Sequence, residues 1–200
     1  MDNQTTATVA KTGQQTQGMN RVRTLEGRKF LTFLMAKEKY GLEILKVREI
    51  IGMMDVTPVP TTPAFVRGVI NLRGKVIPVV DLRRKFGMEA KEDTQRTCII
   101  VVQLAHTTQE MTMGIIVDEV SEVLDIDQDQ IEPPPSFGAD IRTDFILGMG
   151  KVDQKVVTML DIDRVLTERE IALVENSAEK TGRQPDKSSK GKNPQGKNER

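Results

Sequence analysis

The chain has 200 residues, room for one ordinary domain with tails or for two small ones, which excludes many large enzymes. Its 29 Lys and Arg balance 29 Asp and Glu, so the totals announce no basic nucleic-acid groove, and zero Trp with one Tyr leaves few platforms on which bases could stack. A single cysteine, Cys98, closes no internal disulfide, which suits a reducing compartment and predicts a cytoplasmic protein.

Residues 1–26 carry Gln, Thr and Gly where a secretory signal would carry a basic and then an apolar stretch, and they read as a disordered, solvated tail. Residues 175–200 hold no large apolar side chain and read as a second disordered, Lys-rich tail, a solubilising extension. Between them, 27–174 form the folded body. Once both tails are set aside, 27–173 hold 19 basic and 23 acidic residues, a mildly acidic core of charge −4 that the basic tail hides. The longest apolar run, Cys98 to Val102, is five residues, against the ~20 that a membrane helix needs. Direct membrane insertion is not expected.

Along the body, short β-branched runs alternate with turn residues, a pattern of strands. Phe30–Met35 and the alternating Tyr40, Leu42 and Ile44 predict a hairpin around a polar turn at 36–39. Val47–Ile51 fits a strand or a helical turn equally well. Thr62-Pro63 predicts one helical turn with Thr62 as its cap. Gly68–Asp81 reads as two apolar strands reversing at Arg73-Gly74, which displays Arg73, and Pro78 places its strand at an edge or on a bulge. Asp81 should cap a short helix, Leu82–Phe86, stopped by Gly87. After a polar link at 89–96, strands are predicted at 98–104 and 111–117, with the buried face continued by Val120, Val123, Leu124 and Ile126. Two more strands fall at 145–149 and 155–160. Thr167-Glu168-Arg169-Glu170 matches a capping box for a terminal helix that docks through Ile171 and Val174. So many short strands in about 150 residues predict a mainly β body of one or two small barrels. If there are two, each is too small to stand alone and an apolar seam must join them as a third core.

Chemistry is sparse. Asp125, Asp127 and Asp129 occupy positions one, three and five of a calcium loop, but Gln130 stands where glycine should be and Ser136 where glutamate should be. His106 is the sole histidine and reads as part of a solvated turn, which leaves the usual triads without their base and multi-histidine metal sites without their ligand set. Cys98 opens an apolar strand and reads as a small buried thiol. Gly148-Met149-Gly150 begins a dinucleotide fingerprint that Asp153 breaks, and no phosphate loop occurs. Asp161 reads as a helix cap. No cofactor, metal or catalytic group is expected, and the pattern is that of a binding module. The competing class is a small ligand- or metal-binding barrel or enzyme using the acidic stretch 118–132.

Four segments, YGLEILKVREI (40–50), TPAFVRGVINLRGKVIPVVDLRRKFG (62–87), GIIVDEVSEVL (114–124) and GMGKVDQKVVTMLDIDRVL (148–166), in this order and spacing closely resemble the CheW family of bacterial chemotaxis coupling proteins, over about 29–174. The resemblance implies two SH3-like five-stranded barrels packed through an apolar seam, with short helices and a C-terminal helix. Its subdomains would divide near residue 90, as 27–90 and 91–174, and could exchange strands. It also implies a non-enzymatic scaffold, cytoplasmic and recruited to receptor clusters, that joins methyl-accepting chemoreceptor hairpin tips to the regulatory domain of the histidine kinase CheA. Carried over by position, Val47, Glu49, Gly68, Asn71 and Arg73 would face these partners, and the edge near Pro78 would meet the kinase. Ala36 departs from the family, where glycine is frequent at this hairpin turn.

Overall fold

The structure is a computed structural model that describes residues 28–105, 110–135, 143–152 and 155–182. The segments 1–26 and 183–200, His106, Ser136 and Asp153 therefore lie outside the described residues. Among the described residues eleven strands run in the order β1 (Arg28–Met35), β2 (Glu38–Glu43), β3 (Val47–Gly52), β4 (Val66–Leu72), β5 (Lys75–Asp81), β6 (Cys98–Ala105), β7 (Glu110–Val117), β8 (Glu119–Ile126), β9 (Ile131–Glu132), β10 (Ile146–Val152) and β11 (Lys155–Leu160). Three helices join them: α1 (Leu82–Lys85), α2 (Ile162–Val165) and α3 (Glu168–Gly182). No helix among the described residues is long and apolar enough to cross a membrane.

Two sheets result, a first in the order β8-β1-β2-β11-β10-β9 and a second in the order β3-β6-β7-β5-β4. The first has a sixth strand because the two-residue β9 pairs with β10. The division of the sheets does not fall at residue 90. The chain starts in the first sheet (β1, β2), builds the whole second sheet (β3–β7), and returns to the first (β8–β11). Strand exchange accounts for this, because the two halves are structural repeats whose opening hairpins have traded places. Phe65 and Phe145, Gly68 and Gly148, Asp81 and Asp161, and Arg84 and Arg164 all stand at an offset of 80. The Asp81 and Asp161 N–H groups donate to the Phe65 and Phe145 carbonyls at 2.8 and 2.7 Å, and both β4 and β10 are bulged just before their first glycine.

Burial explains the strand pattern. The buried apolar residues form three clusters. Ile70, Ile77, Val79, Ile99, Val101 and Ile116 fill the second barrel, and Phe30, Ile126, Val157 and Met159 fill the first. The largest lies between them and takes alternate residues of the same strands, such as Ile100, Val102 and Leu104 from β6 and Leu31, Phe33 and Met35 from β1. A strand buried on both faces reads as a continuous apolar run, which is why Cys98–Leu104 lacks alternation. Stacked rings of Phe33, Tyr40, Phe86 and Phe145, with centroids 6.0, 6.2 and 5.2 Å apart, extend along this seam. Burial pushes the Tyr40 hydroxyl pKa up, and Glu38 adds to the shift.

Local expectations met different outcomes. Val47–Ile51 resolves as strand, preceded by a 3-10 turn at Ile44–Lys46. At Thr62 no helix forms: its hydroxyl donates to the Val59 carbonyl at 2.8 Å, and a single turn closes by Val66 N–H to Pro63 O. Pro78 is not at an edge, because β5 lies between β4 and β7; the β7 ladder begins only at Val79, so the missing N–H breaks no pair there. Asp81 does cap α1, accepting from Arg84 N–H at 3.2 Å. The capping box forms in full: Glu170 accepts from the Thr167 N–H and hydroxyl at 2.8 and 2.9 Å, and Thr167 Oγ1 accepts from Glu170 N–H at 3.3 Å. Lys85 Nζ, set over the Phe65 ring, holds the same carboxylate at 2.5 Å. With its first turns fixed by Ile171 and Val174, α3 propagates to Gly182, eight residues beyond the expected end, because elongation of a nucleated helix is cheap. Asp125 pairs with Lys29 at 2.6 Å, and no cluster of metal-ligating side chains occurs among the described residues.

Three outcomes follow from this packing. Leu42→Ala in the seam lowers stability by about 2–5 kcal/mol, and Tyr40 fluorescence and far-UV dichroism trace one coincident denaturation curve; two separated transitions would show barrels that unfold independently. At Gly68, φ is +138° and a Cβ would stand 2.1 Å from the Thr57 carbonyl oxygen, so Gly68→Ala costs about 3 kcal/mol in thermal melts. Burial alone would raise the Glu170 carboxyl, but Lys85 and the Thr167 donors outweigh it and hold it below its ordinary value. A carboxyl depressed on folding stabilises the protein above its unfolded pKa of about 4.3, and that stability is lost as pH falls through the folded value. The stability gap between wild type and Glu170→Gln therefore narrows below about pH 4.

Candidate partner-binding site

The second sheet curls until its two edges meet. Between β3 and β4 the chain runs back along β4, with Thr57 N–H and O each bonded to Val69 at 2.9 Å. Gly68 is where that segment crosses the strand, and the absence of a side chain is what lets the two backbones approach.

The β4–β5 hairpin reverses through two residues, Arg73 (φ +53°) and Gly74 (φ +85°), the positive pair that a right-twisted ribbon needs in a two-residue loop. Asn71 Oδ1 accepts the Gly74 N–H at 2.9 Å and locks the turn. Arg73 pays the steric cost of a left-handed backbone without being glycine, so its side chain is held at the tip at 79% exposure. There its Nη2 reaches across to Glu49 Oε2 of β3 at 2.7 Å. Glu49 is only 25% exposed, so the pair has one anchored member and one displayed member. An ion pair this exposed contributes about 0–1 kcal/mol to stability.

Of the five residues expected at the site, the structure brings Glu49 and Arg73 into contact and makes Asn71 the support of the turn. Val47 starts β3 half-buried against the seam, with a bulge between it and Glu49. Gly68 is buried beneath Thr57 and displays nothing. The Pro78 region is buried in an interior strand and offers no edge. Sequence reading did not single out the exposed apolar side chains near these residues in the chain, Ile50 and Met54 after Glu49 and Val76 after the turn. The alternation in Val47–Gly52, with Arg48, Ile50 and Gly52 facing out, was the available signal. The first barrel shows a matching pair, Val123 on β8 and Val156 on β11, at positions equivalent to Ile50 and Val76.

Cys98 is half-buried, and burial pushes its thiol up. Asp161 caps α2 through the Asp163 N–H, and its carboxyl is raised first by burial and then by the neighbouring Asp163.

A family model described as the CheW-like domain matches residues 29–170. The chemotaxis protein CheW of Klebsiella aerogenes is 39% identical over 152 residues, 76% of this chain and 89% of its own length. CheW of Rhizobium meliloti is 35% identical over 144 residues, 72% of this chain and 90% of its own. Protein FrzA of Myxococcus xanthus is 29% identical over 139 residues, 68% and 84% of the respective chains. The crystal structure of the scaffolding protein TtCheW from Thermoanaerobacter tengcongensis superposes with a TM-score of 0.64 at 37% identity, covering 72% of this chain and 90% of that one. With the fold, the order of the motifs and these relatives in agreement, the chain belongs to the CheW-like family of chemotaxis scaffold proteins.

Proposed function

We propose that this protein is a non-enzymatic coupler that joins methyl-accepting chemoreceptors to the histidine kinase CheA, with residues 27–174 as the working body. The observation that carries the reading is the Glu49–Arg73 pair, an arginine displayed at a hairpin tip and bonded to a half-sheltered carboxylate. A guanidinium with donors beyond the one that meets Glu49 suits a receptor helical hairpin tip that offers carboxylates or carbonyls, and the exposed Ile50 and Val76 elsewhere on the same sheet suit its apolar side chains. Val123 and Val156 on the other barrel give the kinase regulatory domain a second face, separate from the first. The coupler then acts in the cytoplasm at receptor clusters, where several modest contacts gain strength from high effective concentration. Receptor state reaches the kinase because the two receptor states fit the first face with different free energies.

Reconstitution of the purified protein with receptor and kinase tests this directly: kinase activation that requires all three components is the expected result, and turnover by this protein alone would overturn it. Within that assay Arg73→Glu weakens receptor binding at least about tenfold, about 1.4 kcal/mol, while the melt shifts by no more than about 1 kcal/mol, the worth of the exposed ion pair. Unchanged receptor affinity would remove Arg73 from the interface.

A further inference from the structure

The backbone passes between the two sheets at two places, and both are locked by the same device with its charges reversed. The first passage is the 3-10 turn Ile44–Lys46 between β2 and β3, and the second is Asp118 alone, between β7 and β8. At the second, the Asp118 N–H donates to the Leu34 carbonyl at 3.1 Å. Its Oδ2 accepts both the Ala36 N–H at 2.8 Å and Arg83 Nη1 at 2.6 Å. Arg83 Nε and Nη2 donate to the Glu89 carbonyl at 3.2 and 3.0 Å, which orients the guanidinium toward Asp118. One carboxylate thus ties the hairpin turn of the first sheet to α1, which follows β5 of the second sheet.

At the first passage Lys46 Nζ donates to Asp163 Oδ2 at 2.5 Å, and Asp163 Oδ1 accepts the Ala105 N–H at 2.9 Å. Here the carboxylate belongs to α2, which follows the first sheet, and it ties the end of β6 in the second sheet to the passage. Arg83 and Asp163 are the second residues of α1 and α2, offset by the same 80 positions as the rest of the repeat. The repeat has therefore kept the position of the contact and inverted its sign: the helix supplies the cation at one passage and the anion at the other. Both pairs are largely sheltered, with side-chain exposures of 12% and 18% for Arg83–Asp118 and 26% and 25% for Lys46–Asp163, so salt screens them poorly. At Ala36, φ is +58°, a backbone an alanine adopts only when its surroundings impose it, and the bond to Asp118 is on the N–H of that residue.

We propose that these two reciprocal latches fix the angle between the barrels, and so the relative placement of the two partner faces. The consequence for signalling rests on the coupler reading, but the mechanical claim does not. An apolar seam is non-directional and resists separation more than sliding, whereas a charge-assisted hydrogen bond at each passage specifies a geometry.

The test measures geometry first. Spin labels on cysteines at Lys75 and Lys155, the exposed bases of the two equivalent hairpins, in a Cys98→Ser background, report the distance between barrels by pulsed dipolar spectroscopy. The parent gives one narrow distribution. The Arg83→Gln/Lys46→Gln variant leaves both carboxylates and their backbone donors in place and so retains the fold; its distribution broadens or shifts by several ångströms while circular dichroism and a cooperative melt are preserved. An unchanged narrow distribution overturns the proposal. If that variant fails to fold, Arg83→Gln alone is measured against the same criterion. In the reconstituted assembly the double variant binds receptor and kinase separately with parental affinity but transmits a smaller receptor-dependent change in kinase activity. Should the parent itself fail to couple, the functional reading falls while the distance measurement still decides the latch.

Discussion

The contact on which the rest of this molecule depends is the apolar seam between its two sheets. Twenty buried residues meet there, against six inside the second barrel and four inside the first. A half of roughly seventy residues buries too small a share of its surface to be secure alone. Joining the halves turns the outer faces of β1, β6 and β7 into interior. The helices serve the same contact, since Leu82, Ile162, Val165, Leu166, Ile171 and Val174 all enter that cluster. What remains exposed is then a matter of geometry: the hairpin tips and the outer edges, far from the seam, are where partners can be met without disturbing the core.

Much of this was legible in the residues. Period-two alternation and turn glycines placed the hairpins, and Asp81, Asp161 and the Thr167–Glu170 box act locally, through atoms two or three residues apart, so their sequence signatures carried over intact. Pro78 misled because an edge is a property of the whole sheet, and the strand that would cover β5, β7, is more than thirty residues away in the chain. Thr62 was misread because its hydroxyl found the Val59 carbonyl rather than a helix N–H. The strand exchange was invisible to local periodicity, although the repeat offset that reveals it, Phe65 to Phe145 and Asp81 to Asp161, stands in the sequence.

The site divides in the same way. Arg73 followed from a two-residue turn with glycine at its second place, a local inference. Glu49 as its partner needed the closure of the barrel, which brings together the two edges of one sheet. Gly68 sits in the same motif for a different reason: it lets the Thr57 segment cross β4 and so closes the barrel on which Arg73 is mounted. A motif such as RGVINLRG thus mixes residues that make a surface with residues that hold it up, and only coordinates separate the two.

The exchanged topology also bears on how the molecule is born. Emerging from the ribosome, the chain completes the second sheet as soon as residue 117 has appeared, because β3 to β7 are contiguous. By then the β1–β2 hairpin has its seam neighbours in β6 and β7, but its ladder partners β8 and β11 follow later in the chain. The second sheet is therefore the platform on which the first is completed.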